Sequence, residues 1–195
     1  MAGGSLIEIR PASDFADVAT LVGPKTAGSE ACWCLTYRNR KTEGLERTGL
    51  SKPERMAALC ARDLPPGIVV YDDGEPVAWA SIAPREHTTF AYNAKFPRID
   101  PGRDDVWSLW CIKVRPGHRG QGLAGAALEG AVGFAAERGA AVVEAYPLDN
   151  DGRKVPLRTA YTGTRRQFER AGFHYVADTT SVLDGFGRVV MRREI

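Results

Sequence analysis

The sequence predicts an α+β fold in which a mixed, mostly antiparallel central sheet is flanked by helices. Three observations carry this reading. A hairpin-built half comes first, a strand–glycine–helix–strand unit lies in the middle, and two strands follow a short helix at the end. Sequential strands joined by tight turns pair antiparallel, whereas a helical crossover returns the chain parallel. With 195 residues, 44% of them hydrophobic and 26% charged, the chain reads as one domain over residues 1–195.

The elements follow in order. LIEIRPA (6–12) alternates apolar and polar residues, as a half-buried strand does. Ser13 is the expected N-cap of DFADVATLVG, where Phe15, Val18, Ala19 and Val22 share one helical face. Residues 23–50 read as irregular, with an aromatic and cysteine cluster at ACWCLTYR. Ser51 and Glu54 form a capping box around Pro53 and open a helix through MAALCARDL, which Pro65-Pro66-Gly67 ends. IVVYD and PVAWASIAP are strands joined by Asp73-Gly74, a hairpin signal. A loop over 85–104 carries Phe90, Tyr92 and Phe96, and the strand VWSLWCIKV follows it. Beyond the glycine-rich junction a helix closes at Gly139, and AVVEAYPL is the next strand. After the polar DNDGRKVPLR, Thr164 and Gln167 suggest a second capping box for RRQFERA, stopped by Gly172. FHYVADTT and RVVMRRE complete the order β-α-α-β-β-β-α-β-α-β-β as a final hairpin.

Bulk properties narrow the function. A formal net charge of +2 gives no concentrated basic surface for nucleic acid. No apolar run reaches membrane-spanning length, and MAGGSLIEIR lacks the basic and apolar regions of a signal peptide, so a cytoplasmic location is expected, with no membrane partner. Cys32, Cys34, Cys60 and Cys111 read as reduced thiols. Cys32 and Cys34 form a C-x-C with no matching second pair, so no metal site is expected.

The chemistry concentrates at VRPGHRGQGLAG (114–125), where Gly117, Gly120, Gly122 and Gly125 fall among Arg115, His118 and Arg119. A strand that enters a glycine turn and then a helix presents free backbone N–H groups at the positive end of the helix dipole, an anion site. Glycine lets the backbone approach that anion at positive φ. The stretch is not a P-loop, because no Lys-Ser/Thr pair follows Gly122 or Gly125. It scores a formal G-x-G-x-x-G at Gly120, Gly122 and Gly125, but the antiparallel half before it is foreign to a dinucleotide-binding domain.

Arg119-Gly120-Gln121-Gly122-Leu123-Ala124 instead resembles motif A of the GNAT acetyltransferase superfamily, Q/R-x-x-G-x-G/A, after a strand ending Val114, Pro116, Gly117. The element order and the phrase ERAGF (169–173) are similar to that family too. The resemblance implies acetyl-CoA as cosubstrate and no metal. It implies that Ile112 and Val114 offer backbone groups to the pantetheine arm, and that Arg119, Gly120, Gln121, Gly122, Leu123 and Ala124 cradle the pyrophosphate. It implies an acetyl-CoA-dependent N-acetyltransferase whose acceptor is a small-molecule primary amine, attacking directly in a ternary complex. A protein lysine or N-terminus, an acyl-CoA sensor module and a binder of some other phosphate ligand stay open beside it.

Acetyl transfer needs a deprotonated amine, a stabilised oxyanion and a donor for the leaving thiolate. Many members of the family carry N-x-x-A-x-x-x-Y before E-x-x-G-F; counting back from Gly172 puts Phe168 at the tyrosine position and Tyr161 at the asparagine position. Tyr161 is therefore the candidate hydroxyl donor, with water as the alternative. Glu144, inside the apolar strand AVVEAYPL, is the candidate base, set against a structural ion pair. Cys111 reads as packing, because no partner base is near it in sequence. ACWCLTYR and the 85–104 loop are expected to build the acceptor pocket, with Trp33 and Tyr146 as substrate contacts. The C-terminal hairpin offers edges at which a homodimer could form.

Overall fold

Aspartate–glycine pairs set the two hairpins that organise the sheet. In the computed structural model, which describes residues 5–26, 29–46 and 49–195, Asp73 and Gly74 adopt φ of 47° and 82° between β2 (Gly67–Asp72) and β3 (Glu75–Pro84). Asp184 and Gly185, at 50° and 78°, do the same between β7 (His174–Leu183) and β8 (Phe186–Glu194). Such left-handed pairs match the twist of the strands they join.

The remaining elements are β1 (Ile7–Pro11), α1 (Phe15–Val22), α2 (Lys52–Cys60), β4 (Val106–Val114), α3 (Leu123–Ala136), β5 (Val142–Ala145), β6 (Leu148–Asp149) and α4 (Arg165–Arg170). One eight-stranded mixed sheet results. β1, β2, β3 and β4 pair antiparallel in turn, and α3 carries the chain over to β5, which lies parallel to β4. β8 then pairs antiparallel with β5 and β6 on one edge and with β7 on the other. The predicted strand AVVEAYPL is thus two pieces that keep one register against β8, interrupted at Tyr146-Pro147 because proline has no N–H for the ladder.

Each face of the sheet has its own core. Ile68, Val70, Ile82, Leu109, Ile112 and Val143 pack under α3 with Leu128, Val132 and Phe134. Val69, Trp79, Trp110 and Val190 pack on the opposite face with Val18, Val22 and Met56 of α1 and α2. Ala135 ends α3 in a Schellman pattern, accepting from Ala140 N–H at 3.1 Å while Gly139 holds φ 83°.

Three local expectations shift. Asp14, not Ser13, caps α1, taking the N–H groups of Ala16 and Asp17. Glu54 accepts both the N–H and the hydroxyl of Ser51 as expected, but α2 ends at Cys60, four residues short of Leu64. Thr164 caps α4 without a side-chain hydrogen bond, so no second capping box forms. The irregular segment before α2 is tied down by a buried pair, Arg38–Glu43, with Arg38 Nη2 also donating to Pro66 O at 2.7 Å.

Candidate active site

The site begins with a bulge. Ser81 of β3 faces Cys111 while Ile82 faces Leu109, which leaves Trp110 as an extra residue on β4. Trp110 and Cys111 consequently turn toward the same core, and Ile112 returns to the α3 side. A bulge bends its strand. Here the bend falls where β5 leaves, since β4–β5 pairing stops at Leu109↔Ala145 although β4 runs on to Val114.

That departure opens the edge of β4. Arg115 N–H donates to Val77 O at 2.8 Å, toward β3. Backbone groups alternate edges along a strand, so those of Val114 and Ile112 point the other way, into the gap. Across the gap stand the 3₁₀ turn Ala160–Thr162 and α4, through Gln167 and Arg170.

The chain then enters its glycine junction, with φ of 93°, 80° and 80° at Gly117, Gly120 and Gly122. His118 N–H bonds to Arg115 O, and Gly125 and Ala126 N–H bond to Gly122 O. Between them, the six N–H groups of residues 119–124 meet no acceptor among the described residues. A Cβ built on Gly120 or Gly122 would project into open space. Six successive free donors at the N-terminus of the 14-residue helix α3 make an anion cradle.

Edge and cradle share one cavity of about 1000 Å³. Ile112, Val114, Arg119, Gly120, Gly122, Leu123, Ala124 and Tyr161 line it, so these expected site residues converge. Gln121 belongs to the cradle by its N–H but does not line the cavity, its side chain turning back toward Gly117 O at 3.5 Å. Tyr161 is half-buried, and burial pushes its phenol up to about 12.

Glu144, Tyr146 and Trp33 stand apart from the cavity. Glu144 Oε1 accepts from Arg192 Nη2 at 2.8 Å and Nε at 3.0 Å, and from Arg85 Nη1 at 3.2 Å. Its Oε2 accepts from the Tyr146 hydroxyl at 2.9 Å. Arg85 and Arg192 also hold the carbonyl of Ile99, at 2.7 and 2.9 Å, so the carboxylate is the hub that fastens the 97–104 loop to the sheet. Against the expectation of a base, Glu144 is 2% exposed, lies outside the cavity and is shared by two guanidiniums, the arrangement of the structural ion pair that stood as the alternative. Tyr146 likewise stands against its expected substrate contact, being 2% exposed and stacked on Phe90 at 3.7 Å. Trp33 is a core residue stacked on Phe15, and Phe90 and Phe96 pack around Tyr146 rather than line an acceptor pocket. Phe168 is fully buried against Phe173.

The wall that the sequence reading missed comes from the α1 side, Leu21, Lys25 and Lys113, and Cys32 joins it from ACWCLTYR, a segment expected to line the pocket. Strand alternation places Lys113 on the face opposite Ile112 and Val114, which was the available signal. Cys34 Sγ touches Cys111 Sγ at 2.7 Å just behind Cys32.

Comparison with known proteins bears on this geometry. The model of the acetyltransferase (GNAT) family matches residues 35–157, more than half of the chain. Among solved structures, yncA from Salmonella typhimurium, held there with its cofactor acetyl-CoA, is 20% identical with a TM-score of 0.55, covering 96% of this chain and 93% of its own. Ribosomal-protein-alanine N-acetyltransferase from Brucella melitensis is 18% identical with a TM-score of 0.55, covering 96% and 99%. Ard1 from Thermoplasma volcanium is 13% identical with a TM-score of 0.54, covering 97% of each chain. At these identities the likeness is one of fold. No curated protein sequence matches the chain.

Proposed function

Because the chain belongs to the acetyltransferase (GNAT) family, we propose that it transfers the acetyl group of acetyl-CoA to a primary amine of a small molecule, in a ternary complex. The observation that carries this reading is the run of six free N–H groups at residues 119–124, set beside the open edge of β4 in one cavity. The residues present fit the donor. The cradle and Arg119 suit its pyrophosphate, and the backbone groups of Ile112 and Val114 suit its amide-bearing arm as an added strand. When bound, acetyl-CoA supplies the activated acetyl group.

The chain supplies position, fixed dipoles and a hydroxyl. Open-edge N–H groups beside the bulge are preorganised donors for oxygen charge that develops at the acetyl carbonyl. Tyr161 faces the same cavity. A phenol near 12 is a weaker acid than a thiol near ~8.5, so Tyr161 contributes a hydrogen bond to the developing thiolate rather than complete proton transfer. Glu144 being engaged, removal of the amine's proton falls to water in the cavity and to the electrostatics of its walls. Lining such as Leu21, Leu157 and Tyr161 makes a recess of small-molecule size.

Thiol release from acetyl-CoA against a panel of small primary amines, with mass detection of acetylated product, tests the reading. Amine-dependent release with an N-acetyl product is expected. Acetyl-CoA binding with no release above background for any small amine, but release with lysine peptides, would move the acceptor to protein.

A further inference from the structure

The cavity is lined by six arginines and lysines and by one carboxylate, Glu129, which bonds Arg193 at 2.7 Å. Most of these cations are accounted for. Arg115 pairs with Glu75 and Arg158 pairs with Asp184 at 2.7 Å. Arg119 stands at the anion cradle, and Arg170 lines the cavity from α4, across from the α1 wall. Lys25 and Lys113 remain, and neither meets a carboxylate among the described residues.

These two converge from the α1 side. Lys113 lies half-buried opposite Trp79, on the face of β4 turned away from Ile112 and Val114. The titratable side chains that act on its ammonium are the thiols of Cys34, Cys111 and Cys32, which raise it once they ionise. Lys25 Nζ donates to Thr20 O, and burial, with Lys113 and Arg115 close by, holds its ammonium below the usual range. The hydrogen bond to Cys34 pushes the Cys32 thiol up and burial pushes Cys34 up, so neither supplies a counter-charge near neutrality. Lys113 is a half-buried ammonium and Lys25 an exposed one close enough to repel it, and an anion joining the two relieves that repulsion.

We infer that the acceptor amine carries a carboxylate, which Lys113 and Lys25 hold against the α1 wall of the cleft. The inference rests on the transferase reading above and narrows its acceptor to an amino-carboxylate. The donor's phosphates have their own donors on the α3 side, and the α1 wall is left for the second substrate. Placing the carboxylate there also keeps two positive charges near the incoming amine, which favours its neutral, nucleophilic form.

Matched pairs of L-amino acids and their α-amides, assayed for acetylation, test it. A preference for the acid of about tenfold or more in kcat/KM is expected, the worth of one charge-assisted hydrogen bond. Lys113→Gln should collapse that acid-to-amide ratio toward unity while calorimetry shows acetyl-CoA affinity changed by less than about threefold, the span of an unrelated contact. Equal use of acids and amides overturns the inference and leaves the transferase reading standing. So does a Lys113→Gln that keeps the ratio but weakens acetyl-CoA more than about tenfold, for the lysines would then serve the donor's phosphates. Acetyl-CoA binding with no amino acid acetylated overturns it too, whereas no acetyl-CoA binding at all overturns both readings.

Discussion

Single side chains separate the chemistry from the scaffold. Tyr161 brings a hydroxyl to the cavity, whereas Phe168, at the place of the family's tyrosine, is sealed in the core. Tyr161→Phe is expected to lower kcat about ten- to a hundredfold, with acetyl-CoA affinity kept; an unaltered kcat would assign thiolate capture to water. Glu144 belongs to the other class. Glu144→Gln leaves two buried guanidiniums short of a counter-charge, a loss of about 3 kcal/mol. Thermal unfolding should show it as a fall of roughly 6 to 12 °C for a chain of this size. A full-stability variant with turnover abolished would restore Glu144 as the base. The sequence could not decide this, because a carboxylate in an apolar strand looks the same whether it meets a substrate or Arg192 on a strand forty-odd residues away.

At the scale of elements, β4 and α3 do the positioning. The geometry of the proposed donor half was legible, because the glycine turn at Arg119 to Ala124 and the alternating backbone of Ile112 and Val114 are local consequences of a strand, a glycine turn and a helix start. The bulge at Trp110 was not, since it depends on how β3 pairs across it. The acceptor half was misread toward aromatics because Trp33, Phe90 and Tyr146 carry the same composition in a core as in a pocket. Two glycines test the difference between cradle and helix. Gly122, at φ 80°, tolerates a Cβ in space but not in backbone conformation. Gly122→Ala should raise the acetyl-CoA Kd about tenfold, following a left-handed penalty of about 1–2 kcal/mol. Gly133→Ala, at an exposed helical position with nothing within 4 Å, should instead stabilise the fold by about 0.5–1 kcal/mol. Equal Kd for Gly122→Ala and the parent would mean that the loop's free N–H groups do not hold the donor.

The whole molecule reads as two halves of one sheet that pair fully at one end and part at the other. β4 and β5 stay together from Val106 to Leu109, over the core of α3, and separate beyond the bulge. Below the parting, Glu144, Arg85 and Arg192 tie the loop at residues 97–104 to the sheet, so the closed end is cross-linked by buried hydrogen bonds while the open end carries the cavity. The order of strands and the mixed sheet were readable from turn signals and one helical crossover, because these are short-range. The gap between β4 and β5 was not, because it arises from three strands and a helix meeting. Amide hydrogen exchange with and without acetyl-CoA measures that gap directly. The expected result is slowed exchange confined to Ile112, Val114 and residues 119–124, with β5 and the 97–104 loop unchanged. Slowing elsewhere, with those amides left as fast as in the free protein, would contradict the placement of the donor in this cleft.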